Sequence, residues 1–228
     1  MGRIMDGSAH HLKLEEFPMN EDRPWFQRAS KRVLDISLAL AGLIILSPVL
    51  ITVAALVRLQ DKGPSIFTHT RIGQNGKPFK CYKFRSMVMD APERLERVLA
   101  TDPEASAEWA RAQKLRKDPR ITKFGGFLRR SSLDELPQLL NILRGEMSIV
   151  GPRPIVMDEV RRYGSQFEAY KAVRPGVTGL WQVSGRNDLS YDERVEMDAR
   201  YAREWTMLGD IWIIIKTIPA VILSRGAS

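Results

Sequence analysis

The run from Val33 to Val57 constrains this chain more than any other stretch. It is almost unbroken apolar sequence, and about 20 such residues suffice to cross a hydrocarbon core as a helix. Two features argue against a straight crossing. Ser47-Pro48 falls in the middle of the run; a proline there lacks an N–H, clashes with the preceding turn and disfavours helical angles in the residue before it. Lys31 and Arg32 precede the run, and Arg58, Lys62 and Arg71 follow it. Basic residues mark the cytoplasmic side of a membrane segment, so a straight span would force one cluster to the wrong face. A re-entrant helix–break–helix that returns to the same leaflet satisfies both clusters, provided the backbone groups freed near Pro48 find partners. A single span and a helix buried in a soluble core are the alternatives. Asp35 is expected near headgroup depth, paired with Arg32.

The chain has 228 residues and a net charge of +8. That length is enough for one good core, and the basic balance points to phosphate-bearing partners: nucleic acid, an anionic membrane surface or a small phosphorylated substrate. Cys81 is the only cysteine, which excludes an intrachain disulfide and a cysteine metal cluster and fits a reducing compartment. The only imidazoles are His10, His11 and His69, none in a nucleophile setting, which argues against a Ser-His-Asp enzyme. Residues 1–22 are polar and aperiodic and lack the pattern of a secretory signal peptide.

Beyond the apolar run, Ile66–Ile72 and Pro78–Phe84 read as strands joined at Asn75-Gly76, a tight-turn signal. The second strand displays Lys80 and Lys83 and delivers Arg85. Asp90 with Pro92 and Asp102 with Pro103 open two helices. A basic stretch follows, with Arg111, Lys114, Arg116, Lys117, Arg120, Lys123, Arg129 and Arg130 relieved only by Asp118. It runs into Ser132-Leu133-Asp134-Glu135, where Ser132 and Glu135 have capping-box spacing and leucines recur at helical intervals up to Gly145. Asp134 and Glu135 are therefore expected in the first turn of a helix, held ionised by its dipole and by Arg129 and Arg130. Asp134, Gln138 and Asn141 would share a polar face. Pro137 complicates the start, which can fall a few residues later.

Met147–Val150 reads as a short strand, followed by Gly151-Pro152-Arg153-Pro154, where two prolines fix the backbone around Arg153. Ile155–Ala172 is mostly helical with a break at Gly164. Residues 174–186 read as a glycine-rich loop–strand–loop unit carrying Arg174 and Arg186. Ser190 and Glu193 form a second capping box. Ile211–Leu223 is too short to span a bilayer as a helix; it can lie in the interface or close the core. Arginines that end on paired carboxylates have the makings of a metal–diphosphate site, since guanidinium groups hold phosphate oxygens and carboxylates hold a divalent ion.

In order, Lys31-Arg32-Val33-Leu34-Asp35 with Ser47-Pro48, Arg71-Ile72-Gly73, Tyr82-Lys83-Phe84-Arg85-Ser86-Met87, Asp118-Pro119-Arg120, Ser132-Leu133-Asp134-Glu135-Leu136-Pro137-Gln138-Leu139, Gly151-Pro152-Arg153-Pro154 and Arg174-Pro175-Gly176 resemble the bacterial sugar transferase family. These are monotopic polyprenyl-phosphate phosphoglycosyl transferases, and the likeness is nearest to the exopolysaccharide-initiating galactosyl- or glucosyl-1-phosphate transferase type. The extra membrane helices and regulatory domain of longer members have no counterpart in this sequence. The resemblance implies transfer of a sugar 1-phosphate from UDP-galactose or UDP-glucose to undecaprenyl phosphate, with release of UMP. Asp134 would be the nucleophile, Glu135 would hold Mg²⁺, and Arg153, Lys83, Arg85 and Arg129 would bind substrate phosphate. Ser47 and Pro48 would kink the membrane helix.

The expected fold is a membrane-associated, monotopic α+β architecture with a small hairpin, a mostly helical catalytic domain and amphipathic interfacial helices. It divides into a leader at 1–30, a re-entrant helix at 31–60, a cytosolic catalytic domain at 61–205 and an interfacial segment at 206–228. The implied location is the bacterial inner membrane with the catalytic domain facing the cytoplasm. No nucleic-acid partner is expected; the donor sugar, the homo-oligomeric state and any scaffold role stay open.

Overall fold

The structure, a computed structural model, describes residues 23–112, 114–185 and 189–222. The expected loose leader at 1–22 and Arg186 lie outside these residues. The fold is α+β and mostly helical. Helix α1 (Trp25–Ile45) and helix α2 (Ser47–Asp61) form the apolar N-terminal pair. The helix begins at Trp25, so residues 25–30 belong to it rather than to the leader.

At the junction of the pair, Pro48 sits in the first turn of α2, where its missing N–H costs least. The carbonyl of Ile44, four residues back, loses that donor and accepts instead from the Ser47 hydroxyl at 2.8 Å. Backbone bonds from Leu46 to Gly42 and from Leu50 to Leu46 carry the chain through the corner. The two helices are bent by 64°. Among the described residues no single helix is long and apolar enough to cross a membrane; this bent pair passes that test together.

Both outer arms of the pair are fastened to the rest of the chain while the corner stands clear. Ile44, Ile45 and Ile51 are each at least 70 % exposed. On α1, Lys31 pairs with Asp210 at 2.6 Å and donates to the Val150 carbonyl. Arg32 donates to the carbonyls of Ile142 and Leu143. Asp35 is fully buried and accepts from the Ser148 hydroxyl and the Ile149 N–H. The expected Asp35–Arg32 pair is therefore not formed; each finds a partner across more than a hundred residues instead. On α2, Val53 and Val57 pack with Phe84, Leu128 and Leu133.

Strands β1 (Ile66–Ile72) and β2 (Pro78–Phe84) pair antiparallel from Ile66 opposite Phe84 to Ile72 opposite Pro78. Asn75 turns the chain at φ 57°, as the Asn-Gly signal predicts. Helices α3 (Ala91–Thr101) and α4 (Pro103–Ala112) follow, then α5 (Lys123–Arg130), capped by the Thr122 hydroxyl accepting from the Gly125 N–H. A Cβ on Gly125 would collide with the Ser86 carbonyl, so glycine lets α5 lie against the end of the hairpin.

Helix α6 (Gln138–Leu143) leads to strand β3 (Ser148–Val150). After α7 (Val160–Tyr163) and α8 (Phe167–Ala172), strand β4 (Gly176–Thr178) pairs parallel with β3. Residues Leu180–Ser184 form helix α9, within the stretch 174–186 that was expected to be loop–strand–loop. Helix α10 (Tyr191–Glu204) opens on the Ser190–Glu193 capping box, with both reciprocal bonds made. Helix α11 (Met207–Ile222) ends the described chain. Its Leu208, Ile211, Trp212, Ile215 and Ile218 recur at helical spacing and are all exposed, while Asp210 and Ile213 are buried on the other face.

Candidate active site

The segment that carries Asp134 and Glu135 is shorter and tighter than its sequence pattern. Ser132 adopts a left-handed conformation, φ 56°, and makes no side-chain cap. A helix begun at Ser132 would drive the Pro137 ring into the Leu133 carbonyl. The chain instead makes one 3₁₀ turn over Leu133–Glu135 and restarts as α6 after Pro137. The expected polar face also turns inward. Gln138 and Asn141 are buried, and Asn141 accepts from the Tyr82 N–H and donates to the Lys80 carbonyl. Asn141 thus splices α6 to the free edge of β2.

That splice sets Lys83, next along β2, against Glu135 at 2.6 Å. Arg129, at the C-terminal end of α5, donates to the Ser86 hydroxyl at 2.8 Å. Asp134 lies between them with 8 % of its surface exposed, and among the described residues no side chain hydrogen-bonds its carboxylate. Burial, and then the charge of Glu135, push its pKa up to about 6, against the pull of Lys83 and Arg129. Burial thus outweighs the flanking arginines that were expected to hold it low. At neutral pH it is still mostly ionised, as a poorly solvated anion facing two cations.

Arg153 occupies a turn whose backbone is held on all sides. The Pro152 carbonyl accepts from Gly176, the Pro154 carbonyl from Arg71, and the Ile155 N–H donates to the Tyr170 hydroxyl. Asp198, buried on α10, takes a bond from the Arg153 backbone and one from the Tyr163 hydroxyl at 2.8 Å. The Arg153 charge is felt at Arg71 and Lys114, and Lys114 also feels Arg129. Lys114 therefore links the cations around Asp134 to the Pro-Arg-Pro turn. Of the basic stretch, Arg120 is spent on Asp118 at 2.6 Å.

Arg85 is brought elsewhere. Its buried guanidinium makes a bidentate pair with Asp61 at the end of α2 and donates to the Pro64 carbonyl. It ties the N-terminal pair to the hairpin rather than facing Asp134. Tyr163 and Asp198, 35 positions apart, and the Lys31–Asp210 pair, 179 apart, were not read from the sequence because these partners lie far along the chain; a buried acid at core spacing on α10 was the one available clue.

A divalent ion could be held where a carboxylate meets substrate oxygens. Among the described residues there is no cluster of three or more His, Cys, Asp or Glu side chains. Mg²⁺ characteristically uses one or two carboxylates together with substrate phosphates, and the half-exposed Glu135 beside Asp134 fits that donor set.

Residues 26–224 match the model of the family described as bacterial sugar transferase. The chain belongs to the bacterial sugar transferase family. The exopolysaccharide production protein ExoY of Sinorhizobium fredii is 52% identical over 198 residues, covering 87% of this chain and 88% of that protein. The undecaprenyl-phosphate galactose phosphotransferase of Salmonella typhimurium is 52% identical over 88% of this chain and 42% of its own length. The UDP-glucose:undecaprenyl-phosphate glucose-1-phosphate transferase of Escherichia coli is 43% identical, again over 88% of this chain and 42% of its own. This sugar transferase chain thus spans most of ExoY and less than half of the two longer relatives.

Proposed function

We propose that the chain transfers a sugar 1-phosphate from a UDP-sugar, UDP-galactose or UDP-glucose, to undecaprenyl phosphate at the cytoplasmic face of the bacterial inner membrane. This would be the first membrane step of exopolysaccharide synthesis. The observation that carries the reading is Asp134: a desolvated carboxylate with no side-chain hydrogen-bond partner among the described residues, within the electrostatic reach of Lys83 and Arg129. Relatives named as undecaprenyl-phosphate galactose and glucose phosphotransferases support the substrate classes.

A carboxylate oxygen of Asp134 attacks the sugar-linked phosphorus of the donor. The bond to the bridging oxygen breaks, UMP departs with the electron pair, and an aspartyl phosphosugar remains. A phosphate oxygen of the lipid then attacks that phosphorus, breaks the acyl phosphate bond and restores the Asp134 carboxylate. Lys83 and Arg129 offset the repulsion between carboxylate and diphosphate, and Arg153, presented by a fixed turn, holds a donor phosphate oxygen. Mg²⁺, where bound by Glu135, supplies charge neutralisation of the diphosphate.

The bent α1–α2 pair and the apolar outer stripe of α11 support a monotopic attachment in which both lie in one leaflet. Leu133, one residue from the nucleophile, packs against the cluster that Val53 and Val57 of α2 form with Phe84 and Leu128, so the depth of the pair would set the depth of the site. UMP release from a panel of UDP-sugars, by detergent-held protein with Mg²⁺ and undecaprenyl phosphate, tests the activity. Lipid-dependent release from one or two donors is expected; silence across the panel with folded protein would remove the reading.

A further inference from the structure

The Asp134-Glu135 segment has a second flank, unlike the cationic one. A cavity of about 270 Å³ lies against it, lined by Glu135, Leu136, Leu139, Val177, Val183 and Ala220. That is just below the roughly 300–1,000 Å³ of pockets that enclose a whole small ligand, so it suits one part of a larger molecule. Its wall is close to hydrocarbon. Of the hydroxyls that border it, three are engaged within the protein: Thr178 with Thr217 at 2.7 Å, Thr217 with the Ile213 carbonyl, and Ser131 with the Phe127 carbonyl; Ser132 and the Gln182 amide are, with Glu135, the other polar groups of the lining. A sugar or a uracil, with polar groups on every side, would find too few partners there to replace its bonds to water.

The surroundings identify the occupant. Leu139 meets α1 at Gly42, and Ala220 and Thr217 belong to α11, whose opposite face exposes Leu208, Ile215 and Ile218. The cavity is therefore walled on one side by α11, is backed through Leu139 by α1, and has Glu135 in its lining. A ligand that fills it must join a hydrocarbon chain to a phosphate that reaches the carboxylate pair. We propose that this cavity seats the first isoprene units of the acceptor lipid phosphate. The carboxylate pair then has a cationic flank for the donor and an apolar flank for the acceptor. The inference rests on the transferase reading above.

The test uses the full chain in nanodiscs with Mg²⁺ and a diazirine-bearing geranyl phosphate. Photolabelling is expected on Val183 or α11 around Ala220, and competition by undecaprenyl phosphate but not by UDP-sugar. Labelling elsewhere, or labelling displaced by phospholipid alone, would overturn the assignment. Ala220→Phe, which fills the cavity, should raise the acceptor KM by about tenfold or more, the scale on which hydrocarbon contacts discriminate, and split the two half-reactions by leaving donor KM nearly where it was. An unchanged acceptor KM in a folded variant also overturns it, and if the variant does not fold the photolabel decides. Failure of the parent activity is separately visible, because wild-type protein would then release no UMP from any donor.

Discussion

The chain buries carboxylates in two contrasting ways. Asp210, 1 % exposed, is met by the Lys31 ammonium at 2.6 Å, the Tyr201 hydroxyl at 2.8 Å and the Trp205 indole N–H at 2.9 Å. Asp134, nearly as deep, has no side-chain hydrogen bond among the described residues and an adjacent like charge in Glu135. Removing a charge from water costs several kcal/mol unless close partners replace the solvent. At Asp210 they do, and the carboxylate fastens α1 and α11 to the domain. At Asp134 the replacement is incomplete, which is what the proposed nucleophile would need: lone pairs not committed to a side-chain donor.

The contrast breaks most sharply at the proposed nucleophile. Asp134→Asn should lower UMP release by about a thousandfold or more, the scale seen when a nucleophile is removed. Its melting temperature, followed by calorimetry at pH 7.5, should hold or rise because a buried charge has gone. A clear fall would make Asp134 a structural acid like Asp210. The opposite substitution, Asp210→Ala, should cost about 3–5 kcal/mol by stranding Lys31, measured by chemical denaturation. A loss under about 1 kcal/mol would mean that water already serves that pair.

Arg85 tests the same division among cations. Arg85→Met should destabilise by about 2–3 kcal/mol through loss of charged hydrogen bonds to Asp61, while donor KM in the folded fraction changes little. A large, selective rise in donor KM would return Arg85 to the phosphate. The smallest effect is in pH. Asp134 titrates near 6 in the folded chain against an ordinary 3.8, so between these values the folded state holds a proton that the unfolded chain has lost. Its contribution therefore favours folding at low pH and is lost as pH rises through that window. Ionisation for attack runs the other way, so single-turnover UMP release should rise with pH to a plateau above about 6. Lys83→Met should move that midpoint upward, because Lys83 draws it down. A profile flat from pH 5 to 8 would show that the carboxylate is better solvated than its burial implies.

Two identical spacings show where sequence suffices and where it stops. Ser190 and Glu193 form their capping box, because nothing downstream opposes the helix. Ser132 and Glu135 have the same spacing and form none, because Pro137 forbids the helix that the box would open. The hairpin was legible for a local reason: the turn, the alternation and both strand ends lie within twenty residues. Motif order in the sequence was enough to nominate Asp134, Glu135, Lys83, Arg129 and Arg153 as candidates. Their environments could not, since the burial of Asp134, the diversion of Arg85 to Asp61 and the inward turn of Asn141 depend on elements packed from elsewhere. Asp35 reaches Ser148 across 113 positions, and no periodicity carries that information.

The Lys31–Asp210 pair joins positions 179 apart. At a synthesis rate of about 5–20 residues per second, Asp210 is made roughly 10–35 s after Lys31. For that interval Lys31 lacks this partner, and for most of it the bonds of α1 to Ile142, Ile149 and Val150 cannot form either, because those residues have not been made. Among the described elements α1 is made first, and its ion pair with α11 is the last of its attachments to become available. Truncating the chain before Asp210 would leave a ribosome product whose opening helix is complete and whose latch has not yet been written.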